Sequence, residues 1–207
     1  MTADPVIHAV DDDERFLAAL VRSLHGTGLP VRSYSCGQDL LASVDTGRSG
    51  CVVSDLRMPD MDGLELYRRL KARGVRLPMI FITGHGDARQ AVAALKAGAT
   101  DFLEKPFPEQ TLLDSVRQAL EADAAERRLL ADKALVRQRY ENLSPRERAV
   151  FALVVSNLHN KDIARELKIS PRTVEHHRER VMLKMQARTM AELLTMAMLC
   201  GVRELHL

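Results

Sequence analysis

Five short apolar runs alternate with segments of helical period over the first half of the chain, and few folds accept that rhythm. The runs are Val6–Val10, Val31–Tyr34, Cys51–Ser54, Met79–Thr83 and Phe102–Leu103. Helix-like segments lie near 15–25, 38–44, 64–73, 88–97 and from 109 onward. Strands linked in series by helices build a parallel, doubly wound sheet covered on both faces. Near-continuous apolar strands agree with burial on both sides. The expected fold is an α/β doubly wound five-stranded parallel sheet; if its order is 2-1-3-4-5, the flavodoxin-like one, strands 1, 3, 4 and 5 are neighbours.

The second half has a different style. From Glu109 to about Glu141 there is no Gly and no Pro, and leucines and valines alternate with charges. This predicts a long charged helical linker, either solvated or paired with a second subunit. Its heptad pattern is broken at Ala122–Ala125. Ser144-Pro145-Arg146-Glu147 then opens a helix, with Ser at the cap, Pro in the first turn and Glu three residues past the cap. Helices are expected near 145–156, 161–167, 171–185 and 189–199. Only Lys168-Ile169-Ser170 joins the second to the third, which marks a helix-turn-helix candidate. The expected domains are 1–120, a linker over 121–142, and an all-α domain over 143–207.

Charge separates these parts. Lys plus Arg against Asp plus Glu is 13 against 14 in residues 1–107, 6 against 7 in 108–142 and 11 against 7 in 143–207. The C-terminal part thus carries an excess of four positive charges and four of the seven histidines. A basic module suggests an anionic partner, nucleic acid first. Apolar residues at 46% and charged residues at 28% argue against a mainly disordered chain. The apolar stretch Leu193–Val202 is too short to cross a bilayer. The opening MTADPVIHAV does not resemble a secretion signal. Cys36, Cys51 and Cys200 make no metal-ligand spacing and fit a reducing cytosol. A cytoplasmic protein without a membrane partner is expected.

Polar residues of the first domain fall at the strand ends. Asp11, Asp12 and Asp13 follow the first strand, Asp55 ends the third, Thr83 the fourth, and Lys105 follows the fifth. Open parallel sheets bind ligands beyond the carboxyl ends of their strands. Carboxylates so close need a cation between them. All-oxygen ligands favour Mg²⁺, and a carboxylate beside it is a plausible nucleophile toward phosphorus. Lys105 could neutralise an added phosphoryl group and Thr83 could donate a hydrogen bond to it. Asp60 and Asp62 read as turn residues.

Val10-Asp11-Asp12-Asp13, Ser54-Asp55-Leu56-Arg57-Met58-Pro59-Asp60-Met61-Asp62-Gly63, Ile82-Thr83-Gly84-His85-Gly86 and Glu104-Lys105-Pro106-Phe107 resemble the receiver domain of bacterial response regulators. The resemblance implies that Asp55 accepts a phosphoryl group from a sensor histidine kinase. It implies Mg²⁺ bound directly by Asp12 and through water by Asp11, with Asp55 and the backbone carbonyl of Arg57 as further ligands. Thr83 and Phe102 occupy the family's switch positions, and a cis peptide is expected at Lys105-Pro106. Gly84 leaves room for the donor histidine, while Arg57 and His85 could touch the phosphoryl group.

In residues 171–185, Val174, Val181 and Met185 form one stripe. Arg172, Glu175, His176 and Glu179 form another, the expected major-groove face. Lys161, Arg165, Arg178, Arg180, Lys184 and Arg188 are available for phosphates. Leu143-Ser144-Pro145-Arg146-Glu147, Asn160-Lys161-Asp162-Ile163-Ala164 and Ile169-Ser170-Pro171-Arg172-Thr173-Val174-Glu175-His176-His177 resemble the LuxR-type DNA-binding domain. The whole chain is thus similar to the NarL/FixJ class, its FixJ branch most of all. Glu175 stands where many members carry Lys, and Glu179 adds a second acid. Thr173 and His177 match the motif. Met190, Leu193, Leu194, Ala197 and Met198 read mostly as core.

The resemblance implies dimerisation on phosphorylation, binding to double-stranded promoter DNA and contact with RNA polymerase, with activation favoured over repression. The competing expectations are a Mg-dependent phosphatase with an Asp nucleophile, and a phosphorylation-independent regulator, scaffold or RNA binder. Arg57 stands where a phosphatase would carry a second acid two residues past its nucleophile.

Overall fold

The computed structural model describes residues 4–84, 92, 95, 96 and 98–202. His85 and most of the segment expected as a helix near 88–97 lie outside the described residues. The chain divides into two compact units, residues 1–127 and 128–207.

In the first unit, β1 (Val6–Val10), β2 (Val31–Tyr34), β3 (Gly50–Asp55), β4 (Met79–Thr83) and β5 (Asp101–Glu104) form one parallel sheet of order β2-β1-β3-β4-β5. The three inner strands are almost wholly buried, whereas the edge strands β2 and β5 alternate with exposed positions. Successive side chains of a strand point to opposite faces. Val10, Val52 and Phe81 therefore pack with α2 (Gly37–Ser43) and α3 (Gly63–Ala72) through Leu40, Leu66 and Leu70. Ile7, Ala9, Val53, Ile80 and Ile82 pack on the other face with α1 (Glu14–Leu24) and the start of α4 (Glu109–Glu141) through Leu17, Leu20, Leu112 and Val116. Each fully buried aliphatic chain contributes about 1.5–3 kcal/mol, so this two-sided burial holds the sheet's carboxyl edge in place.

His8, in mid-β1, is enclosed with its Nδ1 3.0 Å from the Tyr34 hydroxyl. Burial, together with the nearby Arg32 and Arg48 charges, lowers its pKa to about 4. The core thus holds a neutral imidazole at neutral pH.

The boundary between the units falls within α4. In the first unit Asp123 is buried and accepts from Ser49 Oγ at 2.7 Å, Gly50 N at 3.1 Å and Arg127 Nε at 2.8 Å. In the second unit Val136 and Tyr140 join the core, while Leu129, Leu130 and Leu135 are exposed. That core is otherwise built by α5 (Pro145–Val155), α6 (Asn160–Leu167), α7 (Pro171–Met185) and α8 (Met190–Cys200). Ser144 and Glu147 make the expected capping box. Lys168 turns the chain in the left-handed region (φ 52°), and the Ser170 hydroxyl accepts from Thr173 N to start α7.

Candidate functional site

The strand order brings the ends of β1, β3 and β4 side by side, and the loop after β5 closes on them. Lys105 Nζ donates to Asp11 Oδ2 at 3.1 Å and to Asp55 Oδ1 at 2.9 Å. Arg57 N donates to Asp55 Oδ2 at 2.7 Å, and Asp13 N to Asp11 Oδ1 at 2.9 Å. Both carboxylates are buried. Burial raises the pKa of Asp11, against the opposing pull of the Asp13 N–H and of Lys105. Burial disfavours the Lys105 ammonium, yet its hydrogen bonds to Asp55 and Asp11 outweigh that and raise its pKa. Two carboxylates thus share one ammonium.

Thr83 is buried at the end of β4, its hydroxyl 3.3 Å from the Gly84 carbonyl oxygen. A side chain at Gly84 would meet nothing within 4 Å among the described residues. Phe102 stands exposed on β5, and the Lys105–Pro106 peptide is cis. Asp13 caps α1, accepting from Arg15 N and Phe16 N.

Asp12 is the next residue after the buried Asp11. It is exposed, and among the described residues no three His, Cys, Asp or Glu side chains converge as a metal-holding group. Asp62, read from the sequence as a turn residue, is the N-cap of α3. Phe16 was missed by sequence reasoning. Its ring centroid lies 3.7 Å from Lys105 Nζ.

In the second unit Arg172, Glu175, His176 and Glu179 share an exposed face of α7, while Val174, Val181 and Met185 are buried. Lys161 is exposed on α6. Leu183, also missed, is 77% exposed near the end of α7. His177 is half-buried, and its Nδ1 is enclosed with no hydrogen-bond partner among the described residues. Thr173 Oγ1 lies 2.8 Å from Ser170 Oγ, inside the cap.

Arg180 and Lys184 are not free cations. Glu147 is buried and accepts from Arg180 Nε at 3.1 Å and Lys184 Nζ at 2.6 Å. Arg178 donates to Asn160 Oδ1 at 2.9 Å. The stripe on α8 is only partly core: Leu193 and Ala197 are buried, but Met190, Leu194 and Met198 are exposed. An eleven-residue helix packed against one side cannot bury so wide a stripe.

Burial alone would raise the Glu147 carboxyl, but Lys184 and the Ser144 N–H and hydroxyl hold it down at about 2. A depressed carboxyl stabilises the fold above its unfolded pKa near 4.5, and that stabilisation is lost as pH falls toward about 2. We expect Glu147→Gln to flatten the acid limb of the second unit's unfolding by on the order of 2–3 kcal/mol. Hydrogen-exchange protection of α5 amides between pH 5 and pH 2.5 checks this. An unchanged acid limb would contradict it.

Comparison with known proteins gives two family matches. Residues 7–117 match the response regulator receiver domain, and residues 141–197 match the bacterial regulatory proteins of the luxR family. The chain is 43% identical over 198 residues to the transcriptional regulatory protein FixJ of Rhizobium meliloti, covering 96% of this chain and 97% of that protein. It is 38% identical over 201 residues to nodulation protein W of Bradyrhizobium diazoefficiens, covering 97% and 88%. Among solved structures, the response regulator StyR is similar with a TM-score of 0.82 at 38% identity, covering 95% of this chain and 99% of that one. Full-length FixJ from B. japonicum is similar with a TM-score of 0.58 at 40% identity, covering 98% and 100%.

Proposed function

The chain belongs to the response-regulator family, with a receiver domain and a LuxR-type DNA-binding domain, and is a transcriptional response regulator; from that premise we propose that Asp55 is its phosphoacceptor and that phosphorylation promotes a homodimer on promoter DNA. The phosphoryl group comes from a sensor histidine kinase. An Asp55 oxygen attacks the phosphorus, the N–P bond breaks, and its electron pair stays on the donor imidazole. RNA polymerase is the partner on DNA, activation is the favoured sign, and the cytoplasm is the place of action.

The observation that carries this reading is the Lys105 ammonium shared between the buried Asp11 and Asp55 carboxylates. It sits where charge develops on the phosphoryl oxygens, and such fixed charges lower transfer barriers. Arg57 N already orients the acceptor carboxylate. No acid stands two residues past Asp55, which favours a lasting acyl phosphate over steady turnover.

The donors at this edge are all oxygen, and two carboxylates share the one Lys105 ammonium, which fits Mg²⁺. Asp12, Asp55 and the Arg57 carbonyl would hold it directly, and Asp11 through water. When bound, the ion would offset the charge of the incoming phosphoryl group. Thr83 would turn its hydroxyl from Gly84 to the phosphoryl oxygen, and Phe102 would leave its exposed position. Linking two DNA modules raises apparent affinity without new contacts.

Contacts to bases would come from Arg172, Glu175, His176 and Glu179, with Lys161 and Thr173 near the backbone. Arg180 and Lys184 would have to leave Glu147 to reach phosphates. Footprinting of the promoter beside the regulator's own gene, with and without acetyl phosphate, tests the whole reading. Protection that strengthens about tenfold or more with donor is expected. Equal protection in both arms would favour the phosphorylation-independent regulator.

A further inference from the structure

Lys105 has a third neighbour that the phosphoacceptor chemistry alone does not call for. Its Nζ donates to two carboxylates and stands 3.7 Å from the centroid of the Phe16 ring. Phe16 is fixed from two sides. Its backbone N–H donates to Asp13 Oδ1 at 3.2 Å in the first turn of α1. Its ring meets Phe107 edge to face, with centroids 6.4 Å apart and planes at 85°. Both rings pack on the core cluster of α1, α4 and the sheet.

We propose that Phe16 is a positioning residue for Lys105, holding the ammonium at the acceptor while its hydrogen-bond partners change. Phosphorylation turns one Asp55 oxygen into the bridging oxygen of a mixed anhydride and takes the charge off the carboxylate, so Lys105 trades that partner for an oxygen on phosphorus. A lysine stem is long and flexible, and its ammonium is a compact, strongly hydrated charge. During the trade, Asp11 alone would leave it free to swing. The face of an aromatic ring attracts a cation without fixing the direction of its N–H bonds. The ring therefore keeps the ammonium in place while it pivots. This role rests on Asp55 being the acceptor.

The test uses the full chain with lysine Cε labelled. Ring-current shielding of the Lys105 Cε protons, assigned by their loss in Lys105→Arg, reads the contact without any phosphorylation. Phosphoramidate plus Mg²⁺ then reads the rate of acyl phosphate formation. In Phe16→Leu, which keeps an apolar chain, the shielding is lost and the rate falls about three- to tenfold. In Phe16→Tyr, which keeps the ring face, shielding stays and the rate remains within about twofold of the parent. An unshielded Lys105 in the parent, a parental rate in Phe16→Leu, or equal slowing in both variants would overturn the role. If the parent shows shielding but takes no phosphoryl group, the acceptor reading fails and this role fails with it.

Discussion

Asp55→Asn is expected to fold normally and to lose phosphodonor-dependent labelling by on the order of a hundredfold or more. The amide matches the carboxylate in size, and its oxygen can still accept from Arg57 N. Lys105 keeps Asp11 as a partner. Removing one of two neighbouring buried carboxylates also relieves their repulsion, so stability should change by no more than about 1 kcal/mol. What the amide lacks is a nucleophilic oxygen bearing charge. The variant should bind promoter DNA as the unphosphorylated parent does and ignore acetyl phosphate. Gel electrophoresis that retards phosphorylated protein, run beside sedimentation with and without donor, reads both effects. A variant that still dimerised in response to donor would refute the scheme.

Gly63→Ala is expected to damage the same site through the backbone. A methyl at Gly63 would lie 2.5 Å from the Asp55 carbonyl oxygen and 2.9 Å from Phe81 Cε1. Neither neighbour can yield cheaply. Phe81 is wholly buried, and the Asp55 carbonyl belongs to the end of β3. Gly63 N is itself tied to the Leu56 carbonyl oxygen at 2.9 Å. Overpacking against fixed atoms costs about 3 kcal/mol or more. The shift needed to relieve it moves Asp55 relative to Lys105, and small misplacements of reacting groups are expensive. We expect a destabilised first unit and about tenfold slower phosphorylation. Urea unfolding and initial rates with phosphoramidate check the two parts. An Ala variant as stable and as fast as the parent would contradict the close approach.

The sheet and the convergence at its carboxyl edge were legible because both follow from order along the chain. Apolar runs give strands, helical crossovers give a parallel sheet, and polar residues at strand ends then meet. Asp11, Asp55, Thr83 and Lys105 needed no more than that. That Asp11 is buried and Asp12 exposed was not legible, because adjacency in sequence does not say which of two neighbouring carboxylates loses its water. The Ser144–Glu147 cap was legible because it is local. The further partners of Glu147, Arg180 and Lys184, are 33 and 37 residues away, and no local signal marks them. On α8 the helical period showed an apolar stripe but not how much of its width a neighbour covers. Met190, Leu194 and Met198 therefore read as core although they are exposed. Phe16 fell on a helix of correct period, but its ring meets Lys105 in the loop after β5, and no local signal links that loop to the first turn of α1.

The most direct measurement is peptide mapping by mass spectrometry after donor and Mg²⁺ have been supplied and the acyl phosphate trapped by borohydride reduction. Reduction marking Asp55 and no other residue is the predicted result. A mark on a different side chain, or none at all, would contradict the account.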